Sequence, residues 1–501
     1  MKDQNSTPFL TALIEYVKSN PTPFDVPGHK LGNFDNDLSR LLSPVFFQYD
    51  ANAPLGLDNL YNSKGVILQA EELAAEACHA DHCLFSVNGT TGGILTMIMA
   101  CLDVKDKIIM PRNVHKSVIN ALIISGAIPI FVNPVIDQDR GVACGVRVED
   151  YVMAMDENPT AKAIFVINPT YFGICCDLKT LVAEAHKRNM IVICDEAHGS
   201  NFYFSDKLPV SAMDADADIT AMSMHKNSGS LTQTSFILVK GSRVNYSDVK
   251  RAFAMFSSTS PYHILIASLD VARKEMVING KAILDADLEM ADYARQELSK
   301  ISGIEVYGRE YLEEHNSSGV YDIDLTKLVI DVTGLGLYGY DVYKEIRKDS
   351  NVQLELGEVS VVLAIVGPGT TKKHVDNLIA AFKKLSDKYY KPDIDDDLIP
   401  HYHYSYPKMV VPPRYAYDAP HIIVNLKDSL GEISAETVMA YPPGIPLVIP
   451  GEIITEDAVR LIGFFMSEGG EVLKDTDENK VKIIDRKNWY LRDELPYDKT
   501  N

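Results

Sequence analysis

The chain has 501 residues, 46% of them hydrophobic, and a formal net charge of −21. That length can bury a large core and divide into several domains, and so acidic a balance argues against nucleic acid or an anionic membrane surface as partner, since either requires a basic face. Seven cysteines, among them adjacent Cys175 and Cys176, match neither a disulfide framework nor a metal-ligand spacing and are read as reduced, mostly buried thiols.

Residues 1–50 form a polar arm in which Pro21, Pro23 and Pro27 interrupt long regular structure, so a helix followed by an extended stretch is expected. Glu15 breaks the first apolar run, and no apolar segment of signal or membrane-spanning length is uninterrupted. A cytoplasmic protein is expected. From Leu84 to Val239, apolar runs such as Ile108-Ile109-Met110, Ala163-Ile164-Phe165-Val166-Ile167, Ile191-Val192-Ile193 and Phe236-Ile237-Leu238-Val239 alternate with amphipathic stretches such as 178–188. The alternation predicts an α/β large domain over 51–270, with a mainly parallel sheet covered by helices on both faces and ligands gathered outside the strand ends. A long helical pattern starting near Ser268 leads into 325–332, 352–356 and 361–366, read as strands, and 374–389, read as a helix. Together these make a smaller α+β domain over 271–390. An acidic linker at 391–397 opens the last region, 391–501, which carries a proline-rich turn at 441–451.

Three stretches carry chemistry. Cys83-Leu84-Phe85-Ser86-Val87, then Asn88-Gly89-Thr90-Thr91-Gly92-Gly93, then an apolar run, reads as strand, glycine-rich turn and helix. Backbone N–H groups at such a helix start, with the Thr90 and Thr91 hydroxyls, make a phosphate seat. Asp195 ends the apolar run Val192-Ile193-Cys194, and Lys226 follows in Ser223-Met224-His225-Lys226. Pyridoxal phosphate needs a lysine amine to hold it as a Schiff base and a buried carboxylate to keep its ring nitrogen protonated. Alone, the Asp195 stretch reads equally as a cap or solvated loop and the Lys226 stretch as surface charge; their order after the phosphate seat points to the cofactor.

The sequence resembles the Orn/Lys/Arg decarboxylases of the aspartate-aminotransferase-like (type I) pyridoxal-phosphate fold, and is most similar to the short bacterial arginine decarboxylase form. The matching stretches include Val26-Pro27-Gly28-His29-Lys30, Pro111-Arg112-Asn113-Val114-His115-Lys116-Ser117, Asn168-Pro169-Thr170-Tyr171-Phe172-Gly173, Asp195-Glu196-Ala197-His198-Gly199, Thr259-Ser260-Pro261 and Tyr441-Pro442-Pro443-Gly444-Ile445-Pro446. The resemblance implies decarboxylation of a basic amino acid in a homodimer or higher oligomer with shared active sites, the last region being the family's C-terminal domain. Arginine, giving agmatine and carbon dioxide, leads; lysine, ornithine, and transamination or elimination on the same fold are the alternatives.

Under this resemblance Lys226 anchors the cofactor, Asp195 pairs with its ring nitrogen, and His115 stacks on the ring. Thr90 and Thr91, with Gly89 in the same turn, are the main phosphate candidates, Ser223 and His225 reach the phosphate or the substrate carboxylate, and Asn168 and Thr170 face the same crevice. His198 either touches the cofactor's phenolic oxygen or caps a helix. Thr259 and Ser260 are expected to cross the dimer interface to the neighbour's phosphate. His225, His115 and Lys226 are all open as the group that protonates the substrate carbon. Glu355, an acid interrupting the apolar run Val352-Gln353-Leu354-Glu355-Leu356, is expected to meet the cationic end of the substrate, with Glu358 and Asp25 in reserve and a solvent-facing edge position as the alternative. The chain departs from the family pattern at Asp25, at Tyr61-Asn62-Ser63-Lys64-Gly65 and at Tyr262-His263, near the expected substrate entrance.

Overall fold

The computed structural model describes residues 2–137, 140–315, 319–392, 406–441, 445–467, 470–477 and 479–489. The predicted linker lies outside them from residue 393, as do residues 442–444 of the proline-rich turn. The first eight strands are β1 (His82–Ser86), β2 (Lys107–Pro111), β3 (Ile128–Val132), β4 (Ala163–Ile167), β5 (Ile174–Cys175), β6 (Ile191–Asp195), β7 (Ile219–Met222) and β8 (Ser235–Val239). Seven of them make one sheet in the order β1-β8-β7-β6-β4-β2-β3, in which β8 alone runs against the others. Every residue of β6, β7 and β8 is buried, as unbroken apolar runs require when helices cover both faces.

The helix Gly89–Cys101 lies directly on this sheet, because a side chain at Gly93 would place its Cβ 2.7 Å from that of Ala221. That close approach sets the start of the helix beside the end of β7. Packed against it, the helix Lys116–Ser125 is capped by His115 and stopped by Gly126 in the left-handed region.

The 36-residue helix His263–Leu298 passes through position 270 without a break. Its Leu265, Ile266 and Leu269 belong to the core of the large sheet, and its Ala291, Ala294 and Leu298 to a second core. Beyond it come β9 (Glu305–Val306), β10 (Asp322–Ile323), β11 (Lys327–Asp331), β12 (Leu356–Gly357) and β13 (Val361–Ile365). The sheet β12-β13-β11-β9 is antiparallel, while β10 pairs with β5 of the large domain.

The strand predicted at 352–356 is corrected by this arrangement: only its last residue is in β12. The helix Gly339–Ser350 ends on Asn351 in the left-handed region, and the Val352 N–H reaches back to the Ile346 carbonyl. Residues 352–355 are spent climbing from helix to sheet, with the Glu355 N–H already on the Leu363 carbonyl at 2.9 Å.

The arm is also more helical than expected. After the helix Pro8–Lys18, two short helices, Asp37–Leu42 and Pro44–Gln48, replace part of the extended stretch. Asn36 and Ser39 form a capping box for the first, and the Ser43 side chain with Pro44 starts the second.

The last region contains β14 (His421–Asn425), β15 (Val438–Tyr441), β16 (Ile445–Val448), β17 (Glu471–Leu473) and β18 (Lys480–Ile484), paired as β14-β18 and β16-β15-β17. A buried ion pair joins it to the large sheet: Arg112 Nη2 lies 2.8 Å from Glu452 Oε2, with both side chains essentially inaccessible. All seven cysteines are buried and free. Among the described residues no helix is long and apolar enough to cross a membrane, and no group of three or more potential ligands is placed to hold a metal.

Candidate active site

Strands β1, β2, β4, β6 and β7 end on the same side of the sheet, and the loops that leave them line one pocket. Gly89, Thr90, Thr91, His115, Thr170, Asp195, His198, Ser223, His225 and Lys226 all face it. The crevice lies outside the carboxyl ends of parallel strands, where open α/β sheets collect ligands.

Lys226 projects from the short helix Met224–Asn227 that follows β7. Its Nζ is 2.7 Å from His198 Nε2 and 5.4 Å from the centre of the Tyr171 ring. Burial lowers the amine to about 8, against the pull of Asp195 and Glu355 and in the same direction as the Lys327 charge. Asp195 closes β6, is 5% exposed, and accepts the Ala197 N–H at 3.0 Å. Burial pushes its carboxyl above the usual range, against that hydrogen bond and the Lys226 charge. A carboxylate so poorly compensated gains most from a cation placed in the pocket beside it.

Three hydroxyls beneath the glycine turn have a fixed direction. Ser235 Oγ donates to the Met222 carbonyl at 2.7 Å, so Thr90 Oγ1 donates to Ser235 at 3.1 Å and Ser223 Oγ donates to Thr90 at 2.6 Å. The Gly89 N–H is also engaged, on the Gln233 carbonyl at 2.8 Å. The donors left for a phosphate at this helix start are the backbone N–H groups of its first turn and the exposed Thr91 side chain, as helix geometry requires.

His115 is the cap of its helix rather than a member of it, because its Nδ1 accepts the Ser117 N–H at 3.2 Å. Desolvation by the atoms around the ring, then the Lys226 and Lys116 charges, bring its pKa down to about 4, although the residue is exposed in the single chain. His225 Nδ1 donates to the Thr234 carbonyl at 2.9 Å, leaving Nε2 as its acceptor. His198 caps no helix: its ring lies between Lys226 and Lys327, and the Asn227 side chain donates to its carbonyl at 2.6 Å.

Several expected members stand apart. Asn168 is fully buried and turned away, its Oδ1 accepting the Cys176 N–H at 3.0 Å to fix the turn; this corrects its placement in the crevice. Thr259 and Ser260 are exposed and do not line the pocket. Glu355 is exposed too, but it accepts the Tyr171 hydroxyl at 2.7 Å and so stands one side chain from Lys226. Glu358, whose carboxyl burial raises to about 8, and exposed Asp25 do not line the pocket either. Of the departures from the family pattern, His263 belongs to the core, stacked on Phe9 and bonded to the Ala51 carbonyl. The turn after Tyr61 is held by Asp58, which accepts the Lys64, Gly65 and Ile67 N–H groups.

Two neighbours of Lys226 had no expected role. Tyr171 lies tilted against His198, ring centres 4.3 Å apart, and Lys327, on β11, reaches His198 Nδ1 at 3.2 Å. Lys327 had a sequence signal, a lysine inside the apolar run at 325–332, of the kind that singled out Glu355.

The family model for the Orn/Lys/Arg decarboxylase major domain matches residues 7–373, and that for the C-terminal domain matches 397–471. The chain belongs to the Orn/Lys/Arg decarboxylase family. It is 42% identical over 464 residues to the arginine decarboxylase of Bacillus subtilis, covering 92% of this chain and 93% of that one. To the arginine decarboxylase of Halalkalibacterium halodurans it is 40% identical over 463 residues, 92% of this chain and 94% of the other. The crystal structure of a Francisella novicida lysine decarboxylase has a TM-score of 0.84 over 96% of this chain and 81% of that one, at 21% identity, which is a likeness of fold. This Orn/Lys/Arg decarboxylase therefore has the type I arrangement expected from its sequence.

Proposed function

We propose that this decarboxylase acts on L-arginine with pyridoxal phosphate, releasing agmatine and carbon dioxide. The observation that carries the proposal is the meeting of Lys226 and Asp195 in one pocket of a chain 42% identical to an arginine decarboxylase along nearly its whole length. The pocket residues suit the cofactor: an amine of lowered pKa, a buried acid short of a counter-charge, and a helix start with free N–H groups. When bound, the cofactor supplies the electron sink for loss of the α-carboxylate. Lys226 serves as its covalent anchor, Asp195 holds the charge on its ring nitrogen, His115 covers the ring, and the first turn after Asn88 holds its phosphate. Ser223 and His225 border the substrate carboxylate, and His225, His115 and Lys226 are the groups at hand to return a proton to the substrate carbon.

Lysine is the weaker reading, because the likeness to the lysine decarboxylase is one of fold at 21% identity. Shared sites in a homodimer account for the exposure of Thr259 and Ser260, and for the apolar side chains bared along the arm and just after it, Phe24 at 93%, Leu41 at 79% and Leu55 at 102%. We place the enzyme in the cytoplasm. The deciding experiment measures carbon dioxide release from arginine, lysine, ornithine and a panel of neutral amino acids. Arginine should be turned over with the highest kcat/KM; a neutral substrate equal to it would overturn the basic-amino-acid assignment.

A further inference from the structure

His198 is held between two lysines, and its hydrogen-bonding capacity does not allow both to be charged. Its Nε2 is 2.7 Å from Lys226 Nζ and its Nδ1 is 3.2 Å from Lys327 Nζ. An ammonium only donates, and a neutral imidazole has one acceptor nitrogen and one N–H. If both contacts are hydrogen bonds, one lysine donates to the ring and the other accepts from it. The ring is neutral: burial first, then both lysines, hold it well below the usual histidine range.

Position decides which lysine keeps the charge. Lys327 is 2% exposed and does not line the pocket. Its backbone is pinned where Arg295 Nη2 donates to the Lys327 carbonyl at 2.8 Å. Its stem runs past Gly173, where a Cβ would lie 3.0 Å from Lys327 Cδ and where φ is +87°, so no other residue suits that point of the turn. Burial lowers the Lys327 pKa, and the Asp324 carboxylate, fixed by the Thr326 N–H at 3.0 Å and hydroxyl at 2.6 Å, is the first of the charges that oppose that shift. Lys226, by contrast, lines the open pocket, where the Asp195 charge works against the lowering of its own pKa.

We propose that Lys327 is a positioning residue of the active site: its ammonium donates to His198 Nδ1, fixes the proton on Nε2, and so makes His198 a donor that holds the Lys226 amine as a free base facing the pocket. This rests on Lys226 being the cofactor anchor. The other groups facing the pair are His115 and His225, whose pKa values are shifted down, and Asp195 and Glu355, which oppose the effect at Lys226.

Two measurements on the cofactor-free full-length protein test it. Nitrogen NMR of the histidine side chains, with His198 assigned by a His198→Gln variant, should show Nε2 protonated and Nδ1 as acceptor; the opposite tautomer in wild type overturns the proposal. The rate of covalent capture of pyridoxal phosphate should rise with pH through a midpoint near 8 in wild type. In Lys327→Met that midpoint should move up by about one to two pH units, slowing capture at pH 7 by about ten- to a hundredfold, while Lys327→Arg stays near wild type. A folded Lys327→Met protein with an unshifted midpoint overturns the proposal, and if that variant does not fold, the wild-type tautomer decides. Borohydride trapping and peptide mapping separate the two readings. A label on another lysine defeats the cofactor assignment, and a label on Lys226 with an unshifted midpoint defeats only the role of Lys327.

Discussion

The Tyr171 hydroxyl donates to Glu355 Oε1 at 2.7 Å, which fastens a carboxylate from the edge of the small domain to the loop lying over Lys226. The carboxylate is exposed in the single chain, and under the proposed function it would face the cationic end of the substrate. Glu355→Gln should therefore raise KM for arginine and change little for a neutral amino acid. The size of the change reports the surroundings: a pair that stays wet is worth about 1 kcal/mol, about fivefold, whereas one enclosed by a partner subunit costs about a hundredfold or more when broken. The enclosed value is expected for a shared site. Tyr171→Phe keeps the ring and the charge, so its effect on KM should be smaller. Unchanged kinetics in Glu355→Gln would remove Glu355 from the substrate site.

Asp195→Asn keeps the shape at the end of β6 and removes the charge that a protonated ring nitrogen requires. Turnover should fall by about a hundredfold or more, while borohydride still fixes pyridoxal phosphate to Lys226. Near-normal turnover would show that another group serves the ring nitrogen.

The large sheet was legible because buried parallel strands have a plain signature, unbroken apolar runs such as Ile191-Val192-Ile193, and each was found where expected. The span 352–356 misled because its alternation of apolar and polar residues records a climb in which Leu354 is buried and Gln353 and Glu355 are not, without strand pairing. The pocket members that follow strand ends were legible for the same reason as the strands. Lys327 stood out only as a lysine inside an apolar run; its place beside the site was not legible, because its contact with His198 joins elements 129 residues apart and depends on how the small domain's sheet meets the large one. Nor does sequence tell that Thr90 has its hydroxyl committed to Ser235, since that follows from the helix start lying against β7 and β8.

Glu71 gives a pH test of stability that is independent of catalysis. It is buried and accepts the Phe85 N–H at 3.0 Å and the Ser63 hydroxyl at 2.6 Å, yet burial still raises its carboxyl from 4.5 to about 8. The folded state thus binds a proton more tightly than the unfolded state, and its contribution is lost as pH rises from 4.5 towards 8. Glu71→Gln cannot titrate. The Tm of wild type relative to this variant should be highest near pH 5 and decline steadily to pH 8.5. A constant difference across that range would show that Glu71 is ionised in the folded protein throughout.

The shared site can be tested by complementation. Thr259 and Ser260 stand exposed and off the pocket within one chain, so a role for them at a phosphate requires a second copy. Lys226→Ala removes the anchor, and Ser260→Asp puts a negative charge where the neighbour's phosphate would lie; each variant alone should be inactive. In a mixed twofold dimer one site carries both lesions and the other carries neither. After verified subunit exchange in an equal mixture, activity should rise towards about a quarter of wild type, since about half the dimers are mixed and each has one intact site. Failure to recover activity in exchanged mixtures would place Ser260 outside the neighbour's site.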